Sequence, residues 1–278
     1  MKQQDLSWRA EDGLELSGRF WAPVEGTRGL VALVHGHGEH CGRYGHVAAF
    51  FAEHGFAVAA MDQRGHGRSG GKRGHSPSYD HLMNDIAGLI EEGRRLAPDG
   101  PLILYGHSMG GAEVLNFVLR RKPAIAGTIV TGPLLRVAFE PPAWKITLGR
   151  GMQRVWPSLT QPTGLKPSDI SRDPEVVRQY DEDPLVHDKM SARLFVDLMA
   201  AGEYALDHAR QFPPPLFLAH GTADTLTSAE AAREFGEAMG EGCTLKLYEG
   251  WYHEVHNEPE RQQFFDDLKA WLPAITKK

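Results

Sequence analysis

A serine hydroxyl is a weak nucleophile unless a histidine takes its proton and a carboxylate holds that histidine in one tautomer. The chain offers a candidate serine in Gly106-His107-Ser108-Met109-Gly110-Gly111, a Gly-x-Ser-x-Gly pattern. Residues 101–107 form an apolar run that reads as a buried strand, and residues 112–119 read as a helix. A tight strand-to-helix turn exposes such a serine at the carboxyl end of its strand. Glycine at 106 and 110 removes side chains for which that turn has no room. In this arrangement the acid and then the histidine follow the serine along the chain. Asp224 comes four residues after an apolar strand at 216–220, and His253 follows a strand at 244–248. The chain has 14 histidines, but few lie beyond Asp224. His256, three residues past His253, is the rival base, and Glu249 or Glu254 is the rival acid.

Attack on a carbonyl places negative charge on its oxygen, which two N–H donors must hold. The expected donors are the main-chain N–H groups of Met109, at the start of the helix, and of His37, in His35-Gly36-His37-Gly38 after a strand at 29–35. Losing one such donor typically costs about 3 kcal/mol of transition-state stabilisation. His35, His37 and His40 lie close together, but the oxyanion role and Glu39 explain them better than a metal does. Cys41 and Cys243 are too few for a four-thiolate zinc site or a disulfide framework, and they read as free thiols in a reducing compartment. The chemistry calls for no metal and no organic cofactor.

Apolar strands at 14–20, 29–35, 56–61, 101–107, 124–130, 216–220 and 244–248 alternate with helical patterns at 47–54, 79–96, 112–119, 228–239 and 260–272. Such alternation implies right-handed crossovers and a mostly parallel sheet flanked by helices, the α/β class. The rhythm breaks for roughly 80 residues after Gly132, a length read against usual connections of a few residues. Pro141, Pro142, Trp144, Trp156, Pro157, Pro162, Pro167 and Pro174 fall in this stretch, and 188–201 is helical in pattern. The expected division is a core at 1–133, an inserted cap at 134–211 and the rest of the core at 212–278. Leu134, Leu135, Val137, Phe139, Ile146, Leu148, Met152 and Val155 make the cap apolar enough to line a pocket as well as to pack. Trp144 and Trp156 read either as cap core or as a lipid-facing rim.

Composition narrows the partners. The 278 residues carry 30 Lys plus Arg against 36 Asp plus Glu, a formal net charge of -6, which is a poor footprint for nucleic acid. With 41% hydrophobic and 24% charged residues the chain can fill a core. No run of 18 apolar residues suggests a membrane-spanning helix, and the polar first residues lack the apolar run of a signal peptide. The expected location is the cytoplasm.

Beyond the serine turn, an ordered set of segments carries a resemblance. These are His35-Gly36-His37-Gly38-Glu39-His40-Cys41-Gly42-Arg43-Tyr44, then Asp62-Gln63-Arg64-Gly65-His66-Gly67-Arg68-Ser69-Gly70-Gly71-Lys72-Arg73-Gly74, then residues 106–111. Asp183-Pro184-Leu185, His220-Gly221-Thr222-Ala223-Asp224, Tyr248-Glu249-Gly250 and Tyr252-His253 follow. From about residue 10 to residue 273 the chain resembles the monoacylglycerol lipase and lysophospholipase family of the α/β-hydrolase superfamily, in the group that includes serine aminopeptidase-like proteins. The resemblance implies an α/β-hydrolase fold with a cap and a cofactor-free esterase. Its nucleophile, acid and base fall on Ser108, Asp224 and His253. The implied substrate is a small lipid ester, a monoacylglycerol or lysolipid, met with transient contact between the cap and a membrane or micelle. Lysophospholipase and short-chain carboxylesterase are the alternatives. Glu175, Asp181, Glu182 and Asp183 keep an iminopeptidase in view. His37 departs from the family's small or aliphatic residue, and its ring either points away or packs on Glu39 and His40, or else meets the substrate head group.

Overall fold

The computed structural model describes residues 1–139 and 151–276. Eight strands form one sheet in the order β1-β2-β4-β3-β5-β6-β9-β10. They are β1 (Lys2–Arg9), β2 (Glu15–Ala22), β3 (Gly29–Val34), β4 (Phe56–Asp62), β5 (Leu102–His107), β6 (Gly127–Thr131), β9 (Leu216–Gly221) and β10 (Cys243–Tyr248). β1 and β2 run antiparallel to their neighbours, and β4, β3, β5, β6, β9 and β10 run parallel to one another. The apolar runs read as buried strands are buried because helices cover both faces. In β3, Leu30, Ala32 and Val34 join one core cluster, and Val31 and Leu33 join the other.

The first face is covered by α2 (Tyr79–Leu96), α3 (Ser108–Arg121) and α6 (Ala229–Met239), and the second by α1 (Gly45–Glu53) and α7 (Gln262–Trp271). A short α8 (Pro273–Thr276) ends the described chain. Ser78 caps α2 through its side chain, and Ser228 does the same for α6. Edge strand β1 was absent from the sequence expectation. Only Leu6 and Trp8 of its eight residues turn toward the protein, too little alternation to read as a strand.

Between β6 and β9 the chain leaves the sheet. β7 (Thr160–Pro162) pairs antiparallel with β8 (Lys189–Ser191), and α4 (Pro174–Glu182) lies between them in sequence. The helical pattern noticed at 188–201 is realised as α5 (Ala192–Asp207). Its Leu194, Leu198 and Ala205 join the same core cluster as α3. Polar contacts pin residues 172–191 to the core. His40 Nε2 lies 2.9 Å from Asp183 Oδ2, His187 Nε2 lies 2.9 Å from the Gly65 carbonyl, and His75 Nδ1 lies 2.9 Å from Ser191 Oγ. Arg172 reaches Glu258 at 2.5 Å. By contrast Phe139, Val155 and Trp156 are exposed, Val155 at 83%. Pro141, Pro142, Trp144, Ile146 and Leu148 lie outside the described residues. Among the described residues no helix is long and apolar enough to cross a membrane.

Candidate active site

Ser108 ends the run from β5 into α3 with φ at +55°, a left-handed backbone that side chains rarely adopt. The turn is as crowded as its glycines suggest. A Cβ on Gly106 would collide with the Gly110 carbonyl, and one on Gly110 would collide with the carbonyls of Val34 and His35. α3 begins at Ser108, four residues before the apolar helical pattern, because the glycines of its first turn hide it. Ser108, His37 and His253 all line one cavity of about 380 Å³. The Met109 side chain lies in the core, while its main chain sits in the first turn of α3, where N–H groups lack an intrahelical acceptor.

Asp224 and His253 meet across 29 residues of chain, with His253 Nδ1 2.7 Å from Asp224 Oδ2. The loop after β9 builds the carboxylate's seat. Oδ1 accepts the main-chain N–H groups of Leu226 at 2.7 Å and Thr227 at 3.0 Å. Oδ2 also meets Thr227 Oγ1 at 2.8 Å and His220 Nε2 at 3.0 Å. Burial would raise the Asp224 pKa, but the His253 ring and the bonds to His220 and His253 hold it well below the usual carboxylate range. Burial would lower the His253 pKa, and the attraction of Asp224 outweighs it, so the ring holds a proton more tightly than an exposed histidine.

The rival residues are engaged elsewhere. His256 is buried, stacks on Tyr44 at 5.1 Å, and burial pushes its pKa well down. Glu254 binds Arg43, Oε1 to Nη1 at 2.6 Å and Oε2 to Nη2 at 2.7 Å. Arg43 Nη1 also reaches Glu39 Oε2 at 2.7 Å, and Glu39 Oε1 takes the Gly36 N–H and the Tyr44 hydroxyl, each at 2.7 Å. Burial opposes ionisation of Glu39, yet Arg43, His107 and His35 bring its pKa down to about 2. The Tyr180 ring covers Arg43 at 4.8 Å.

Glu39, His107 and Glu254 bring one ligand atom each within 4.8 Å of one another, the one such grouping among the described residues. A metal fits it poorly, because the Arg43 guanidinium already bridges both carboxylates. The histidine array near 37 has other partners too. His35 Nε2 accepts the Gln63 N–H at 3.0 Å, and His40 meets Asp183. The His37 ring packs edge-on against His66 at 5.2 Å and His187 at 5.6 Å, not on Glu39 and His40. Its neighbours come from the loop after β4 and from the segment before β8, which spacing alone could not bring together. Arg64 binds Asp85 through Nε at 2.6 Å and Nη2 at 2.7 Å, holding the glycine-rich turn. Both cysteines are free.

Sequence reasoning did not find Thr227, His220 or Tyr180 as site residues. Thr227 and His220 lie three and four residues from Asp224, a local spacing that could have flagged them, whereas nothing local marks Tyr180.

Comparison with known proteins follows the same outline. Residues 25–260 match the family described as serine aminopeptidase, S33 (Hydrolase_4). An uncharacterized abhydrolase domain-containing protein of Dictyostelium discoideum is 39% identical over 260 residues, covering 92% of this chain, which spans only 27% of that protein's length. A monoacylglycerol lipase of Mycolicibacterium smegmatis is 34% identical over 272 residues, covering 97% of each. The crystal structure of the Paleococcus ferrophilus monoacylglycerol lipase superposes with a TM-score of 0.83, 33% identity and full coverage of both chains.

Proposed function

The chain belongs to the serine aminopeptidase S33 family of the α/β-hydrolase superfamily, and we propose that it is a serine esterase splitting monoacylglycerols into glycerol and free fatty acid. The observation that carries this reading is the shared cavity, onto which Ser108 and the Asp224-bonded ring of His253 both open. In the proposed mechanism His253 takes the Ser108 proton as the oxygen attacks the ester carbonyl. The N–H groups of His37 and Met109 hold the oxyanion. His253, charged and steadied by Asp224, gives its proton to the leaving glycerol, and water repeats the sequence on the acyl-enzyme. With Nδ1 committed to Asp224, Nε2 is the ring nitrogen left to take the Ser108 proton.

The lining supports a lipid ester. Val137, Met152, Leu159, Phe195, Met199 and Leu226 offer apolar surface to an acyl chain, worth about 0.8 kcal/mol per buried CH2. Glu39, Tyr180 and Glu254 make one part of the lining polar, which suits a small hydroxylated head group better than a second acyl chain. Two carboxylates against the single guanidinium of Arg43 disfavour a phosphodiester there, so glycerides rank above lysophospholipids. Against an aminopeptidase stand the four acids of the cap. Glu175 and Glu182 pair with Arg178 at the surface, Asp183 pairs with His40, and none of them or Asp181 lines the cavity.

The insertion at 134–211 acts in this proposal as the cap over the acyl chain. Exposed Phe139, Val155 and Trp156 give it a face for transient contact with a membrane or micelle. Residence in the cytoplasm belongs to the same proposal and fits the free thiols of Cys41 and Cys243. A fluorophosphonate probe tests the reading. Ser108-dependent labelling that long-chain monoacylglycerol competes away is expected. Labelling of Ser108→Ala equal to wild type would contradict it.

A further inference from the structure

We infer that His220 is a positioning residue for the proposed reaction, sharing the Asp224 Oδ2 oxygen with His253 and thereby setting how tightly that oxygen holds the proton on the base. The inference rests on the Ser108–His253–Asp224 reading. His220 is the penultimate residue of β9, is fully buried, and places Nε2 3.0 Å from Asp224 Oδ2 and 3.2 Å from the Thr227 carbonyl. Thr227 Oγ1 lies farther off at 3.3 Å, and the two nearer neighbours are obligate acceptors, so Nε2 carries the hydrogen and donates it. Nδ1 of the same ring is buried without a partner among the described residues, so the ring's one working donor is the Nε2–H.

His220 is not needed to hold the carboxylate in place. The main-chain N–H groups of Leu226 and Thr227 already anchor Oδ1. What His220 adds falls on Oδ2, the same oxygen that His253 Nδ1 meets at 2.7 Å and Thr227 Oγ1 at 2.8 Å. Every donor on that oxygen takes up part of its negative charge. The pull of Asp224 on the His253 proton weakens accordingly. The base then releases its proton to the leaving group more readily and stays free of it to lower pH. A lone His253–Asp224 pair would bind that proton more tightly.

Thr227 Oγ1 lies 3.3 Å from both His220 Nε2 and His253 Nδ1 but does not titrate, and the other titratable groups that act on His253 make no hydrogen bond to His220 among the described residues. They are the carboxylates of Glu254 and Glu39, the His107 ring 4.8 Å away, and His256 behind His107. A shift in the titration of the base on changing His220 therefore reports on Oδ2.

The test uses the full chain, with monoacylglycerol hydrolysis measured from pH 5 to 9 for wild type, His220→Phe and His220→Gln. The Phe variant removes the donor, and the acid limb of kcat/KM moves up by about one pH unit. Its kcat falls about tenfold with KM little changed, since the base and not the substrate site is disturbed. The Gln variant, whose amide N–H reaches the same place, returns the limb to the wild-type position. An acid limb that does not move in His220→Phe overturns the inference. A second measurement needs no variant. In 15N-labelled wild type the His220 Nε2–H resonance shifts as His253 titrates, and a His220 signal indifferent to that titration overturns the inference as well. Absence of Ser108-dependent hydrolysis in wild type would instead remove the esterase reading, and the NMR coupling would still be measurable.

Discussion

Glu39 and Glu254 line the cavity and Asp224 bonds the His253 that lines it; all three are buried carboxylates, yet their partners differ in kind. Glu39 and Glu254 close on Arg43, a group that keeps its charge at every working pH. Asp224 closes on the His253 ring, which can gain or lose a proton, with His220 donating to the same oxygen. The first arrangement is fixed. It ties the loop after β3 to the chain beyond β10, and Arg43 bonds Glu254 across 211 residues. The second can take up a charge when a proton arrives. Burial is common to both, so burial alone does not mark a reactive group. What separates them is whether the partner can change its protonation state.

Breaking each cluster should give a different signature. Asp224→Asn removes the anion that supports His253, and kcat should drop about 10⁴-fold while the fold survives, read by hydrolysis assays and thermal melts side by side. A drop of less than tenfold would mean Asp224 is not the acid. Arg43→Met leaves two buried carboxylates facing each other without a cation, and unfolding free energy should fall by about 3–5 kcal/mol in urea titration. A smaller loss would place the Arg43 cluster closer to the exposed ion pairs in strength.

A third carboxyl sharpens the contrast because it has neither kind of partner. Glu113 on α3 is fully buried, both its oxygens lack hydrogen-bond partners among the described residues, and burial pushes its pKa well up. Glu113→Leu should stabilise the protein by about 1–2 kcal/mol at neutral pH. The sign of the pH effect follows from the raised pKa. The proton's contribution is complete below the ordinary value of 4.5 and is lost as pH climbs through the folded-state value. The gain from Glu113→Leu should therefore shrink toward pH 4, and equal gains at pH 4 and pH 8 would show the carboxyl does not titrate there. The smallest effect concerns the working base itself. Because Asp224 raises the His253 pKa, the acid limb of kcat/KM in wild type should have its midpoint above 6.5. A midpoint below 6 would mean that burial outweighs the carboxylate.

The parallel strands and the serine turn were legible because each rests on local pattern. β3 and β5 are continuous apolar runs, and the glycines around Ser108 have visible steric work. What stayed hidden rests on contacts without local pattern. β7 and β8 have three residues each, too short for a period to show. His40 meets Asp183 across 143 residues, and no spacing rule joins them. The His37 ring found His66 and His187 for the same reason. α5 runs on past its expected end at 201 through Gly202, whose missing side chain leaves room for the main chain of Leu135, a close approach that a lone glycine in a sequence does not reveal.

The most direct test of the central claim is fatty-acid release from a long-chain monoacylglycerol and from its matched lysophospholipid, for wild type and Ser108→Ala in parallel. Rapid release from the glyceride, slower release from the lysophospholipid and none from Ser108→Ala is the predicted result. Release from neither lipid by wild type that still labels with fluorophosphonate would contradict it, and would leave a serine hydrolase whose cavity serves some other ester or amide.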